Sequence, residues 1–165
     1  MKEILEAYSS YNLWANERLL DYSLKLDEKL LNEQLPSSFR SISETFFHVW
    51  YAEFVWWQRI RLVEKVEYPQ FNEMPFPQIA FNLRTQSAKW KEWVARSSEA
   101  SLLHEFAYYN SKKEFFKSEV WKVLMHMSNH GTYHRGQVVN LLQQLHQKNI
   151  PSTDFIYFLQ KQKSK

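Results

Sequence analysis

Apolar side chains recur at spacings of three and four residues over four long stretches of the sequence, and this periodicity constrains the fold most. In an α-helix such spacings place side chains on one face. Only two glycines and five prolines occur among the 165 residues, which favours long helices joined by short connections. The predicted helices span residues 4 to about 24, 41 to about 64, 76 or 77 to about 95, and 118 to before Asn149 and Pro151.

Capping residues mark where several of these helices begin. The clearest signal is Ser41-Ile-Ser-Glu44, which fits a capping box in which each side chain satisfies a backbone N–H of the first turn. Single polar residues before the other apolar runs are weaker signals of the same kind. They predict caps at Asp27 for a short helix before Pro36, at Ser118 for the fourth long helix, and at Ser152 or Thr153 for a short last helix.

The second predicted helix is apolar nearly all round, which favours burial on more than one face. One of these faces is a candidate homodimer contact, since aromatic residues are enriched at protein interfaces. The residues that produce this pattern are Phe47, Val49, Trp50, Tyr51, Phe54, Val55, Trp56 and Trp57.

The periodicity changes before the fourth long helix. Phe106, Tyr108 and Phe115 flank Asn-Ser-Lys-Lys, a pattern that predicts a small β-hairpin. Together with the helices it indicates one domain over residues 1–165 with an all-α fold, a four-helix bundle that carries a hairpin or crossover insertion.

Charge and composition exclude several classes of function. The formal net charge is +3 and the basic residues are scattered rather than grouped, so no nucleic-acid partner is expected. No apolar run of about 20 residues and no signal sequence is present, so we expect a cytoplasmic protein without membrane contact. The sequence has no cysteine, so any thiol chemistry must use a thiol that a substrate brings.

Two histidines on the fourth predicted helix form a candidate metal site. His130 and His134 are four residues apart, so their side chains share one helix face. A catalytic zinc site commonly uses three protein ligands and a water or substrate, so a third ligand is needed. Four-residue steps rotate about 40° each around a helix, so His126 drifts by about 80° from His134. His126 therefore suits a supporting or core role better, which leaves His48.

A bland interpretation of His48 stays open, because a histidine in an apolar run can be a buried residue with one hydrogen bond. The pair on the fourth helix favours the metal, since each buried ring nitrogen without a partner costs about 1–3 kcal/mol. One ion would satisfy three of them. Surface or capping roles suit His104 and His146, which lie outside the apolar stripes.

Four segments resemble the DinB/YfiT-like family of metal-binding four-helix bundles. They are YNLWANERLL at residues 11–20, SFRSISETFFHVWYAEFVWWQR at 38–59, HMSNHGTYHRGQVVNLL at 126–142 and PSTDFIYFL at 151–159. The resemblance implies helices that run up, down, down, up. It also implies a divalent metal ion held by His48, His130 and His134, and a homodimer. Three histidine ligands suit zinc, nickel, copper or iron, and zinc or nickel is the expected ion.

The same resemblance implies a range of reactions. Some members of that family resemble thiol transferases, one branch isomerises maleylpyruvate with a thiol, and others are described only as metal-dependent hydrolases. The favoured hypothesis is an enzyme that activates a low-molecular-weight thiol for S-transfer, or a water for hydrolysis, on a small-molecule substrate. The alternative is a non-catalytic, metal-stabilised binding or stress-related interaction module.

Neighbouring residues have candidate supporting roles, each with a plainer alternative. Gln137 follows His134 by three residues and suits a contact with the substrate or a ligand, or an ordinary surface position. Glu44 lies one turn before His48, where it is a candidate general base or only a cap, and His126 is the other candidate proton carrier. Arg135 is expected to form an ion pair away from the site, and Gly136 to permit a close helix approach.

Overall fold

The computed structural model describes residues 1–72 and 74–163, which form seven helices and one two-stranded sheet. The all-α prediction with a small hairpin is confirmed. In chain order the elements are α1 (Lys2–Ser23), α2 (Glu28–Leu31), α3 (Ile42–Ile60), α4 (Phe76–Arg96), α5 (Glu99–Leu103), β1 (Glu105–Tyr109), β2 (Phe115–Glu119), α6 (Val120–Gln144) and α7 (Phe155–Lys163).

The long helices α1, α3, α4 and α6 form the bundle, and contacts near their ends give their directions. Lys2 at the start of α1 donates to the carbonyl of Ala95 at the end of α4, so these two helices are antiparallel. Phe46 contacts Phe76 where α3 and α4 both begin, so this pair is parallel. Because α3 and α4 run the same way, the long connection between them must return along the bundle.

Helix α6 is antiparallel to α3, because His126 in its second turn contacts Trp56 near the end of α3. The four long helices therefore run up, down, down, up, as predicted. The predicted hairpin precedes α6, and its two strands pair antiparallel with Glu105 opposite Glu119. Among the described residues, no helix is both long enough and apolar enough to cross a membrane.

Local signals explain where α3 begins and ends. Ser41 Oγ accepts from the Glu44 N–H at 3.1 Å, which confirms the cap, while the Glu44 carboxylate accepts from the N–H of Arg40 at 3.0 Å rather than from that of Ser41. The helix ends at Ile60, not near residue 64, because Leu62 adopts a left-handed conformation with φ of 52°. This conformation completes a Schellman-type end and stops the helix.

The other predicted caps have mixed outcomes. Asp27 caps α2 by accepting from the N–H of Lys29, as predicted. Ser118 is not the cap of α6: it lies in strand β2, and α6 begins directly after Glu119 without a side-chain cap. The helix follows the strand without a connecting turn, and strand pairing fixes the chain direction there, so a side-chain cap is not needed. Before α7, the Ser152 hydroxyl accepts from the N–H of Asp154 at 3.2 Å.

A small apolar cluster of Tyr11, Ala15 and Phe158 packs α7 against α1. Two larger apolar clusters fill the bundle, and a set of buried polar residues lies between them along the helices. One cluster contains Leu20, Phe46 and Leu141, and the other contains Leu5 and Leu124. We call the polar set the buried polar layer. Each long helix contributes to it, and its members are Asn12, Asn16, Glu53, Ser87 and Arg135.

Arg135, for which the sequence predicts an ion pair away from the site, is the cation of the buried polar layer, where it donates to amide oxygens and interacts with the charge of Glu53. Its side chain is only 2% exposed. Its Nη1 donates to Oδ1 of Asn12 at 2.8 Å and to Oδ1 of Asn16 at 2.9 Å. A buried guanidinium needs such acceptors, because an uncompensated buried charge is strongly destabilising.

Glu53 is the matching anion. Its Oε1 accepts from Nδ2 of Asn12 at 2.8 Å and of Asn16 at 3.2 Å, and Ser87 Oγ donates to both carboxylate oxygens. Burial raises the pKa of Glu53 to about 7, against the hydrogen bonds and the Arg135 charge, which favour the ionised form. Two asparagine amides thus connect the two charges with their dipoles aligned.

The close helix approach occurs at Gly131, not at Gly136 as predicted. A Cβ at Gly131 would lie 2.7 Å from Asn12 Oδ1 and 2.8 Å from Arg135 Nη1, whereas a Cβ at Gly136 would meet nothing within 4 Å. Gly131 therefore leaves room for the buried polar layer. Gly136 is an exposed helix position with no steric need for glycine.

The two glycines give opposite predictions for the free energy of unfolding. Gly136→Ala should raise it by up to about 1 kcal/mol, the helix-propensity difference. Gly131→Ala should lower it by about 1–3 kcal/mol, because the added methyl group displaces hydrogen-bonded side chains that cannot move freely. Urea unfolding of both variants measures this, and a stabilised Gly131→Ala protein would contradict the close packing.

Candidate metal centre

Three histidines from two antiparallel helices converge in the bundle. His48 lies in the second turn of α3, and His130 and His134 lie one turn apart on α6. Nε2 of His130 is 3.0 Å from Nε2 of His48 and 3.1 Å from Nε2 of His134. The structure therefore brings together the three residues that the sequence singled out as metal ligands.

Hydrogen bonding alone does not account for this arrangement. An imidazole nitrogen has a single in-plane direction, used by either a proton or a lone pair, so His130 Nε2 cannot hydrogen-bond both neighbours. Nδ1 of His130 is also buried and has no protein partner among the described residues. Tetrahedral zinc with Zn–N bonds of about 2.0–2.1 Å separates its nitrogen ligands by about 3.3 Å, close to the spacing here. The three rings can thus hold a metal ion.

Burial keeps these rings neutral, which leaves their lone pairs available to a metal. It lowers the pKa of His48 to about 4, with a further contribution from His134, and that of His130 to about 3, with further contributions from the neighbouring histidines. Burial also lowers the pKa of His134, although its hydrogen bond to Gln137 opposes the shift. Metal ligation requires neutral imidazole, so the site is electrostatically prepared for it.

Gln137 fixes the tautomer of one ligand. Its Oε1 lies 2.7 Å from Nδ1 of His134, and since a carbonyl oxygen only accepts, Nδ1 carries the proton and Nε2 presents its lone pair to the centre. Such partners orient metal ligands and raise their basicity. The amide Nε2 of Gln137 reaches Ser38 Oγ at 3.4 Å. A contact between Gln137 and a substrate stays a prediction.

Two aromatic side chains contact the histidines of the site, and sequence reasoning missed both. The Phe39 ring stacks on His48 with centroids 4.1 Å apart and meets His134 edge-on at 5.4 Å. Tyr133 contacts His134 from another side. Phe39 lies in the connection before α3, where no periodicity marks which side chain turns inward.

The remaining histidines stay outside the group. His126 is exposed, and its ring lies 5.7 Å from those of Trp56 and His130. His104 ends α5, and its carbonyl accepts from the N–H of Val120. His146 has φ of 56° and closes the end of α6, which agrees with a capping role.

Among the residues that the structure describes, the metal-ligating group consists of these three histidines, with no carboxylate joining it. A sequence model described as the DinB family matches residues 1–163. The chain belongs to the DinB family. It is similar to Protein DinB of Bacillus subtilis (strain 168), with 24% identity over 163 aligned residues that cover 90% of each chain.

Metal content tests the triad of this DinB-family chain. Untagged protein purified without nickel resin should contain about one metal ion per chain by mass spectrometry, as one three-ligand site requires. His48→Ala, His130→Ala and His134→Ala should each lose it, whereas His104→Ala should keep it. A metal-free wild type whose stability is unchanged in all three variants would contradict the assignment.

Gln137 should affect how tightly the site binds its metal ion. Gln137→Leu removes the acceptor of the His134 Nδ1 proton, so metal affinity should fall by about 10–100-fold. Competition with a chromophoric chelator measures this. Gln143→Leu is the matched control, because it makes the same change at an exposed position of α6. Equal affinities for the two variants would show that the hydrogen bond does not support the ligand.

Proposed function

We propose that this DinB-family protein is a metal-dependent enzyme that activates a low-molecular-weight thiol for transfer to a small-molecule electrophile. The observation that carries the proposal is the group of three histidines with no fourth protein ligand among the described residues. Structural zinc sites use four protein ligands, whereas catalytic sites keep one position for water or substrate. The ion of this proposal is zinc or nickel, since imidazole ligands suit both.

When bound, a divalent ion lowers the pKa of a thiol or a water that occupies its open position. In the transfer, the sulfur forms a bond to the electrophilic carbon, the leaving group departs with its bonding electrons, and the thiol proton goes to solvent. The chain supplies no cysteine for this chemistry, so the thiol is a second substrate. Phe39 covers one side of His48 and His134, and Gln137 holds His134 in the ligating tautomer.

Hydrolysis at the same site is the second reaction to consider, and it needs a general base near the attacking water. Glu44 is the nearest carboxylate along α3, but it already accepts from the N–H of Arg40 at the start of the helix. His126 is exposed and packs against Trp56. The absence of a committed base among the described residues favours the thiol over water.

The expected setting of this activity stays a prediction. It is a cytoplasmic homodimer that acts on small molecules and does not bind nucleic acid. Most aromatic rings of α3 pack within the chain, as Trp57 does against Trp90 and Trp93, so they do not support the dimer. Exposed Tyr109 and Phe115, which contact each other on one face of the hairpin, are a more suitable surface for it.

Cobalt substitution tests the thiol directly. Adding 2-mercaptoethanol to the Co²⁺-loaded protein should produce a thiolate-to-cobalt charge-transfer band in the near ultraviolet, because the thiol takes the open position as thiolate. Ethylene glycol, which lacks sulfur, is the control ligand and should produce none.

Two results would count against the thiol. A cobalt spectrum that no thiol alters would favour the non-catalytic, metal-stabilised module. A spectrum that responds to hydroxide but not to thiols would favour hydrolysis.

A further inference from the structure

A cavity of about 480 Å³ opens beside the metal centre. It shares two residues with that centre, because His48 and Phe39 line both. The volume lies within the range of small-molecule sites. A ligand in this cavity would be next to one metal ligand and next to the ring that stacks on it.

One wall of the cavity is a face of α3. Glu44, Phe47, His48 and Tyr51 line it, and their spacings of three and four residues place them on the same side of the helix. The residues that line the cavity and the metal ligand His48 therefore belong to one rigid helix. Any molecule in the cavity is positioned relative to His48 by the helix itself.

The part of the lining that lies outside α3 includes an aromatic ring that is held in place. Phe71 meets Phe47 with ring centroids 5.4 Å apart and planes at 64°. The connection that carries Phe71 is fixed to α3 by Gln58, whose amide accepts from the N–H of Glu67 at 2.8 Å and donates to its carbonyl at 3.1 Å. Aromatic rings from α3 and from this connection line the cavity together, which favours an aromatic ligand.

The charges on the lining residues restrict the ligand further. No lysine or arginine is among the described residues that line the cavity, and Glu44 is the only carboxylate. The cavity therefore favours neutral or cationic molecules over anions.

Tyr51 supplies a polar contact. Its hydroxyl makes no hydrogen bond to the described residues, although the ring contacts Phe47 and Tyr68. Burial raises the pKa of Tyr51, so the phenol keeps its proton and can donate it in a hydrogen bond. Since Tyr51 follows His48 by three residues, this donor lies on the metal side of the helix face.

We propose that this cavity binds the electrophilic substrate of the metal centre, and that the substrate is a small planar aromatic molecule, neutral or cationic, with a polar substituent that accepts from Tyr51. This assignment rests on the proposed function for the reaction, but the binding itself does not require it. In the transfer, the thiol sulfur bonds to the electrophilic carbon, and the leaving group departs with its electron pair.

Three naphthalene probes that differ in charge test the assignment: 2-naphthylmethanol, 2-naphthylmethylammonium and 2-naphthoate. Their affinities for zinc-loaded and for metal-free protein can be measured by saturation-transfer NMR at pH 7.5. In the metal-free protein, where no ion attracts a carboxylate, we expect the alcohol and the ammonium ion to bind and the carboxylate to bind at least about tenfold more weakly, because Glu44 repels it. Glu44→Gln should reduce that difference.

Variants locate the binding. Phe71→Ala should lower the affinity for the neutral probe by up to about tenfold, because one aromatic contact is lost. Tyr51→Phe should lower the affinity for the alcohol more than the affinity for naphthalene, which has no hydroxyl group. Phe81→Ala is the matched control, since Phe81 is 64% exposed on α4. Equal binding by wild type, Phe71→Ala and Tyr51→Phe would overturn the assignment.

The binding assay and the cobalt spectra separate the two proposals. If probe binding depends on Phe71 but thiols do not change the cobalt spectrum, the cavity is a binding site and the thiol reaction is wrong. If thiols change the cobalt spectrum but neither the neutral nor the cationic probe binds, the thiol reaction is supported and this cavity is not its substrate site.

Discussion

The charge pair of Arg135 and Glu53 is the interaction on which the rest of the structure depends. Both side chains are almost fully buried, and the amides of Asn12 and Asn16 connect them across the bundle. Removing one partner of such a pair typically costs about 3–5 kcal/mol. A slip of α6 by one turn, about 5.4 Å, would separate the charges, so the pair fixes the axial position of α6 relative to α1 and α3.

The metal centre uses this alignment. Arg135 directly follows His134, and Glu53 lies five residues after His48 on α3, so the same two helices carry both the charge pair and the ligands. Successive residues of a helix point about 100° apart, which lets α6 present His134 to the centre and Arg135 to the buried polar layer. The layer thereby aligns the two helices that carry the histidines, although none of its members belongs to the ligating group.

The sequence predicts the parts of this arrangement that depend on periodic burial and on ligand spacing. The four long helices, the hairpin and the histidine group follow from such patterns. The buried polar layer does not, because a periodicity analysis treats Asn12, Asn16 and Glu53 as solvent-facing, and they are buried only because they satisfy one another and Arg135. Propensity likewise cannot tell which glycine faces a neighbouring helix, so the close approach predicted at Gly136 is found at Gly131 instead. Phe39 lies in an irregular connection and has no periodic signal.

The arrangement of charge separates the two substrates of the proposed reaction. While Glu53 is ionised, Arg135 balances it, so the buried polar layer adds no net charge to the centre. Three neutral imidazoles leave the +2 charge of a divalent ion uncompensated, which favours an anionic ligand such as a thiolate at the open position. The adjoining cavity has the opposite preference, because Glu44 is its only carboxylate and no basic residue among the described ones lines it. Two neighbouring subsites with opposite charge preferences would keep nucleophile and electrophile from occupying each other's place.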